Sequence, residues 1–218
     1  MSKSAIENSR LSVARAEEIS VAVAALKHGE AITFPTETLY GLGADALNAA
    51  SVEKIYRLKG RDPTNPIPVL VADRAMLDVL VSEIPPLAER LIMEFWPGAL
   101  TLVLPARRDI PVPLLNSTGG VGVRISSQPI ATELVQRLGR PLTATSANPT
   151  GKPPAHTVEE ARNYFAAHIG VFVDGGTLVS KTGSTVAAIS RDKITIIREG
   201  EVARSELERV VGKDKIAP

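Results

Sequence analysis

"VGVRISSQPIATELVQRLGRPLTATSANPTG", residues 121–151, carries two hydrophobic periods in one run. "VGVRI" (121–125) reads as a strand, because its β-branched residues fall on alternate positions. "PIATELVQRLG" (129–139) changes to helical spacing, with a proline at its start and Gly139 after its last turn. "PLTAT" (141–145) returns to a strand and runs straight into the loop "SANPTGKPP". Strand, helix and strand in such quick succession point to an α/β domain.

Reading outward repeats the alternation. Residues 15–28 place Ile19, Val23 and Leu26 at helical spacing and stop at Gly29, after which "AITF" reads as a short buried strand. Ser51 is the expected cap of a helix running to Leu58, which Gly60 ends. "IPVLV" follows as a strand, then helices at 73–82 and 85–95, then the strand "ALTLVL". Thr157 and Glu160 have the spacing of a capping box. "GVFVD", "STVAAI" and "KITIIRE" are consecutive strands before a short helix near 205–211. The expectation is one α/β domain with a mixed, twisted sheet.

Composition narrows the partners. The 218 residues hold 25 Lys and Arg against 24 Asp and Glu, a formal charge of +1, so no global field favours non-specific nucleic-acid binding and any anion site must be local. Cysteine is absent, which excludes disulfides, thiolate metal sites and a cysteine nucleophile. Without a signal-peptide core or an apolar run of about 18 residues, the chain reads as soluble, cytoplasmic and free of the membrane.

Three common signatures fail on inspection. "GLGADA" (41–46) fits a dinucleotide fingerprint formally, but Lys59 lies where the ribose-binding acid should be, and the glycines are read as a turn. Ser51–Lys54, Ser146–Asn148 and Lys181–Gly183 mimic the elements of penicillin-recognising enzymes in the wrong context. His28, His156 and His168 are isolated, so no metal held by protein ligands is expected.

The stretch "YRLKGRDPTNPIPVL" (56–70) is more informative, with Arg57, Lys59 and Arg61 on alternate positions. Cations at a helix C-terminus need no ligand to explain them. Four loops rich in hydroxyls and backbone donors change that balance: "PTET" (35–38), "NSTGG" (116–120), "TSANPTG" (145–151) and "KTGST" (181–185). Such groups suit phosphate and carboxylate oxygens, and Lys59 and Arg61, expected on a solvent-facing loop, would neutralise charge. With no evident nucleophile or histidine base, the pocket would act by positioning and electrostatics, as phosphoryl and nucleotidyl transfer require.

The strings "FPTETLYGLGADA", "IYRLKGRDPTNPI", "FWPGALTLVL", "VGVRIS", "PLTATSANPTGKP" and "GSTVAAI…IIREG" occur in the order seen in the threonylcarbamoyl-AMP synthase family, also called the YrdC or Sua5 family. The chain resembles its short, single-domain form, with an N-terminal extension (1–13), a YrdC-like domain (14–205) and a C-terminal tail (206–218). The resemblance implies a curved mixed sheet flanked by helices around a positively charged cavity. It also implies a nucleotidyltransferase that makes threonylcarbamoyl-AMP and pyrophosphate from L-threonine, bicarbonate and ATP, with Mg2+ on the nucleotide. Downstream threonylcarbamoyl-transferase proteins would use the product on adenosine 37 of ANN-decoding tRNAs, and weak tRNA binding is expected.

By motif, Lys59 and Arg61 are the K-x-R pair on the ATP phosphates and the catalytic charge stabilisers. Ser146 and Asn148 are the S-x-N pair on the nucleotide, joined by Thr118 and Arg198. Thr36, Arg124, Thr145 and Ser184 fall on the threonine side. Leu70 stands where several members carry a histidine facing the threonine. Two rival readings share the motifs: an RNA-binding or ribosome-associated module of the same fold, and an adenylate-forming enzyme with another acceptor. The first is disfavoured by 4% aromatics and the lack of a basic stripe.

Overall fold

The first helix, α1 (Lys3–Lys27), starts well before residue 15 and buries Ile19, Ala22, Val23 and Leu26 in one apolar cluster with residues of α5 (Pro129–Leu138). The computed structural model describes residues 3–190 and 192–217, and residues 1 and 2 of the expected N-terminal extension lie outside that range. The next two elements form a hairpin, β1 (Ile32–Pro35) and β2 (Tyr40–Gly43), paired antiparallel. The second strand corrects the reading of its glycines as a turn. A Cβ on Gly43 would sit 2.6 Å from the Phe34 ring and 3.0 Å from the Thr143 carbonyl, so the strand needs glycine to let that ring lie flat upon it.

In α2 (Ala49–Lys59) the cap is Asn48, whose side chain accepts from the Ser51 N–H at 3.2 Å; the expected cap, Ser51, instead donates its hydroxyl to the Gly29 carbonyl. Gly60 ends the helix at φ 58°, with its N–H turned back to Arg57 and Tyr56 carbonyls. Then come β3 (Val69–Leu70), α3 (Arg74–Leu80), α4 (Pro86–Phe95), β4 (Leu100–Pro105) and β5 (Gly120–Arg124). After α5 follow β6 (Leu142–Thr143), β7 (Thr145–Ser146), α6 (Val158–Phe165), β8 (Val171–Phe172), β9 (Thr185–Ser190), β10 (Lys193–Arg198) and α7 (Arg204–Val211). Thr157 caps α6 through the Glu160 N–H, while the Glu160 carboxylate reaches one residue further back, to the His156 N–H.

Two mixed sheets stand where one was expected. The smaller runs β7-β2-β1-β8 and the larger β10-β9-β4-β5-β3-β6. Their join is the "PLTAT" strand, which divides at Ala144: Leu142 and Thr143 pair with β3, whereas Thr145 and Ser146 pair with β2. The Ala144 N–H bonds the Pro68 carbonyl at 2.8 Å, which turns the chain from one sheet to the other. The segment after residue 205 is packed: Leu207, Val211 and Ile216 are buried, and the Ala217 N–H bonds the Ile194 carbonyl.

Candidate functional site

The two sheets enclose a cavity of about 650 Å³, within the range that holds small ligands. The β1–β2 hairpin contributes Thr36, Thr38 and Tyr40; the loop after α2 contributes Arg61 and Asn65. From the larger sheet come Thr101, Val103, Gly122, Arg124 and Arg198, and from β7 come Thr145 and Ser146. Thr182, Gly183 and Ser184 close the rim ahead of β9. Residues far apart in sequence thus meet because each loop named above leaves a strand or a helix end that faces the space between the sheets.

Of the ten sequence-derived candidates, Thr36, Arg61, Arg124, Thr145, Ser146, Ser184 and Arg198 line this cavity. Thr36 is almost fully occupied within its own turn: its hydroxyl donates to the Leu39 carbonyl at 2.7 Å and accepts from the Thr38 and Leu39 N–H groups. Ser184 shares a 2.9 Å hydroxyl bond with Thr101, and its carbonyl accepts from Arg198 at 2.6 Å, so Arg198 is braced against the rim. Arg61 is held by the Asn65 and Pro66 carbonyls.

Three candidates fall elsewhere. Thr118 is exposed and bonds Asn116 at the edge of an adjoining hollow. Asn148 lies behind the wall, its amide donating to the Pro149 and Lys152 carbonyls while its side-chain oxygen has no partner. Lys59 corrects the expectation of a solvent-facing loop: it is the last residue of α2, only 3% exposed, and its ammonium donates to the Ser146 carbonyl at 2.5 Å and the Asn148 carbonyl at 2.6 Å. The K-x-R lysine therefore holds the S-x-N loop in place from beneath. Leu70 also faces away, buried in the α1–α5 cluster, and Pro68 is the neighbour that lines the cavity.

The charges are crowded. Burial first, and the like charge of Arg61 second, lower the Lys59 ammonium to about 7. Arg198 is lowered by burial and then by Arg61. Burial and then Arg198 pull Arg124 down to about 10, so the guanidinium stays charged at neutral pH. Cations placed this close repel one another, and an anion bound among them would relieve that repulsion.

Sequence reasoning missed Glu37, which sits inside "PTET" between two threonines read for their hydroxyls. Its carboxylate pairs with Arg124 and accepts from the Ser126 hydroxyl. It also missed Glu201, whose carboxylate accepts from Ser180 and Thr182 and pins the rim loop.

The fold is that of an α/β protein whose two mixed sheets flank a cavity lined by Arg61, Arg124 and Arg198. Residues 24–200 match the family model described as "Telomere recombination" (Sua5/YciO/YrdC), and the chain belongs to that family. It is 37% identical, over 94% of its length, to the threonylcarbamoyl-AMP synthase of Pyrococcus abyssi, and 39% identical, over 89%, to that of Bacillus subtilis. The chain spans about three-fifths of the length of these relatives, 61% and 57% respectively. The crystal structure of P. abyssi Sua5 complexed with L-threonine superposes with a TM-score of 0.87 at 37% identity, covering 92% of this chain and 59% of that one.

Proposed function

We propose that the protein is a threonylcarbamoyl-AMP synthase, a nucleotidyltransferase acting on ATP, L-threonine and bicarbonate. The observation that carries this reading is the convergence of Arg61, Arg124 and Arg198 on one cavity whose other polar lining is mainly hydroxyl and amide, with Glu199 the one carboxylate. Such a site binds ligands with several negative charges and holds no obvious nucleophile. The relatives' names and the threonine complex of the P. abyssi protein support the choice of reactants.

The threonine amine attacks the bicarbonate carbon, and loss of water leaves N-carboxythreonine. One oxygen of the new carboxylate then bonds to the α-phosphorus of ATP, the bond to the bridging oxygen breaks, and pyrophosphate leaves. Arg61 and Arg198 stabilise charge on the phosphates, Arg124 orients the threonine carboxylate, and Ser184 and Thr145 bound the amino-acid side. Lys59 acts by holding the carbonyls of Ser146 and Asn148, and so the shape of the nucleotide loop.

Magnesium would screen the triphosphate. Among the described residues no three His, Asp or Glu side chains gather to hold a metal, and a wall of guanidinium and hydroxyl groups with a single carboxylate, Glu199, suits an ion carried mainly by phosphate oxygens and water. Delivery of the product to a tRNA-modifying partner in the cytoplasm belongs to the same reading; no described helix is long and apolar enough to cross a membrane. The test is incubation with ATP, magnesium, L-threonine and carbon-13 bicarbonate, followed by mass spectrometry. Label in threonylcarbamoyl-AMP is expected; AMP and pyrophosphate without that adduct would contradict the assignment.

A further inference from the structure

Arg124 lies at the end of β5 in the larger sheet, while Glu37 lies in the β1–β2 hairpin of the smaller one, so their ion pair crosses between the sheets beside the cavity. Arg124 is 4% exposed and lines the cavity; its Nε and Nη1, and the Glu37 Oε1 that faces Nη1, make no hydrogen bond in the protein, so the two side chains meet as an ion pair. Glu37 stands behind it: its neighbours Thr36 and Thr38 form the wall, one carboxylate oxygen meets Arg124, and the other accepts from the Ser126 hydroxyl. Ser126 in turn accepts from the Gln128 N–H at 3.2 Å, at the start of α5. A guanidinium has five donors in one rigid plane, so fixing one edge of it fixes where the others aim.

We propose that Glu37 is the positioning residue that aims Arg124 into the cavity and thereby sets the affinity for the carboxylate of the amino-acid substrate. Glu37 does not touch the substrate; Ser126 locks its rotamer. The inference rests on the amino-acid reading above, because it concerns the partner of that carboxylate.

Calorimetric titration of the full chain with L-threonine, L-threoninamide and ATP tests it, with folding followed by circular dichroism. Threonine should bind wild type more tightly than threoninamide. Glu37→Gln keeps the shape without the charge, and should weaken threonine at least tenfold while threoninamide and ATP change less than twofold. Should Glu37→Gln fail to fold, Ser126→Ala leaves the charge in place and should weaken threonine about threefold with the same selectivity. Unchanged threonine affinity in a folded variant, or equal weakening of all three ligands, would overturn the inference while leaving the acceptor assignment standing. No binding of threonine to folded wild type, with or without ATP, would overturn the acceptor assignment and the inference together.

Discussion

Lys59 is the last residue of α2, yet its ammonium is buried rather than solvated. A cation in the last turn of a helix is ordinarily solvated and stabilised there, and nothing within "YRLKG" says otherwise. Its burial comes from the loop at 146–150, nearly ninety residues further along the chain: Lys59 donates to two of that loop's carbonyls, and its own carbonyl accepts from the Thr150 N–H. The consequence is a pH dependence. An unfolded lysine titrates near 10.4, and the folded one near 7, so between those values the unfolded chain binds the extra proton. Stability should therefore rise from pH 7 to pH 9, with a slope of at most about 1.4 kcal/mol per pH unit from this group. Urea midpoints measured across that range should climb in wild type and flatten in Lys59→Met; equal slopes in both would show that the buried ammonium is not the source. Arg61 and Ser146 stood out by residue type within loops rich in cations and hydroxyls, and both line the cavity, whereas Arg124 was singled out by the family resemblance alone and Glu37 was hidden because its partner is an arginine in the opposite sheet.

Most elements could be read from local periods, and the exceptions share a cause. A strand containing Gly41 and Gly43 runs against β propensity; it forms because β1 and β7 pair with it on either side, and glycine is needed there because the Phe34 ring lies over it. The split of "PLTAT" at Ala144 has no local signal at all, since both halves look extended and differ only in which sheet receives them. Two glycine substitutions separate conformational need from spatial need. Gly60 has φ 58° and nothing within 4 Å of a new Cβ, so Gly60→Ala should cost about 1 kcal/mol of backbone strain. Gly43→Ala meets the Phe34 ring and the Thr143 carbonyl of β6, and should cost about 3 kcal/mol as the ring and β6 are pushed away from β2. Chemical denaturation of the two variants checks the order; Gly60→Ala proving the more damaging would contradict the packing described for the hairpin.

At the scale of the whole molecule, the class of fold was legible because strands and helices alternate, but the division into two sheets was not, because it depends on pairings between distant segments. That division creates the cavity, and the sheets are held in register around it by the "PLTAT" segment and by the Glu37–Arg124 pair. The outer shell contributes as well. Removing residues 206–218 would take away the buried side chains of Leu207, Val211 and Ile216, at a cost of roughly 5 kcal/mol. A truncated chain with an unchanged thermal midpoint would show that this segment is not part of the packed body. The proposed reaction transfers the adenylyl group of ATP to a carboxylated amino acid in the arginine-lined cavity and releases pyrophosphate. Its most direct test is steady-state pyrophosphate release with ATP and magnesium, omitting L-threonine and bicarbonate in turn, for wild type and for Arg61→Ala. Release that requires both co-substrates and falls at least a hundredfold in the variant is the predicted result. Release that ignores either co-substrate, or that survives intact in Arg61→Ala, would contradict the account.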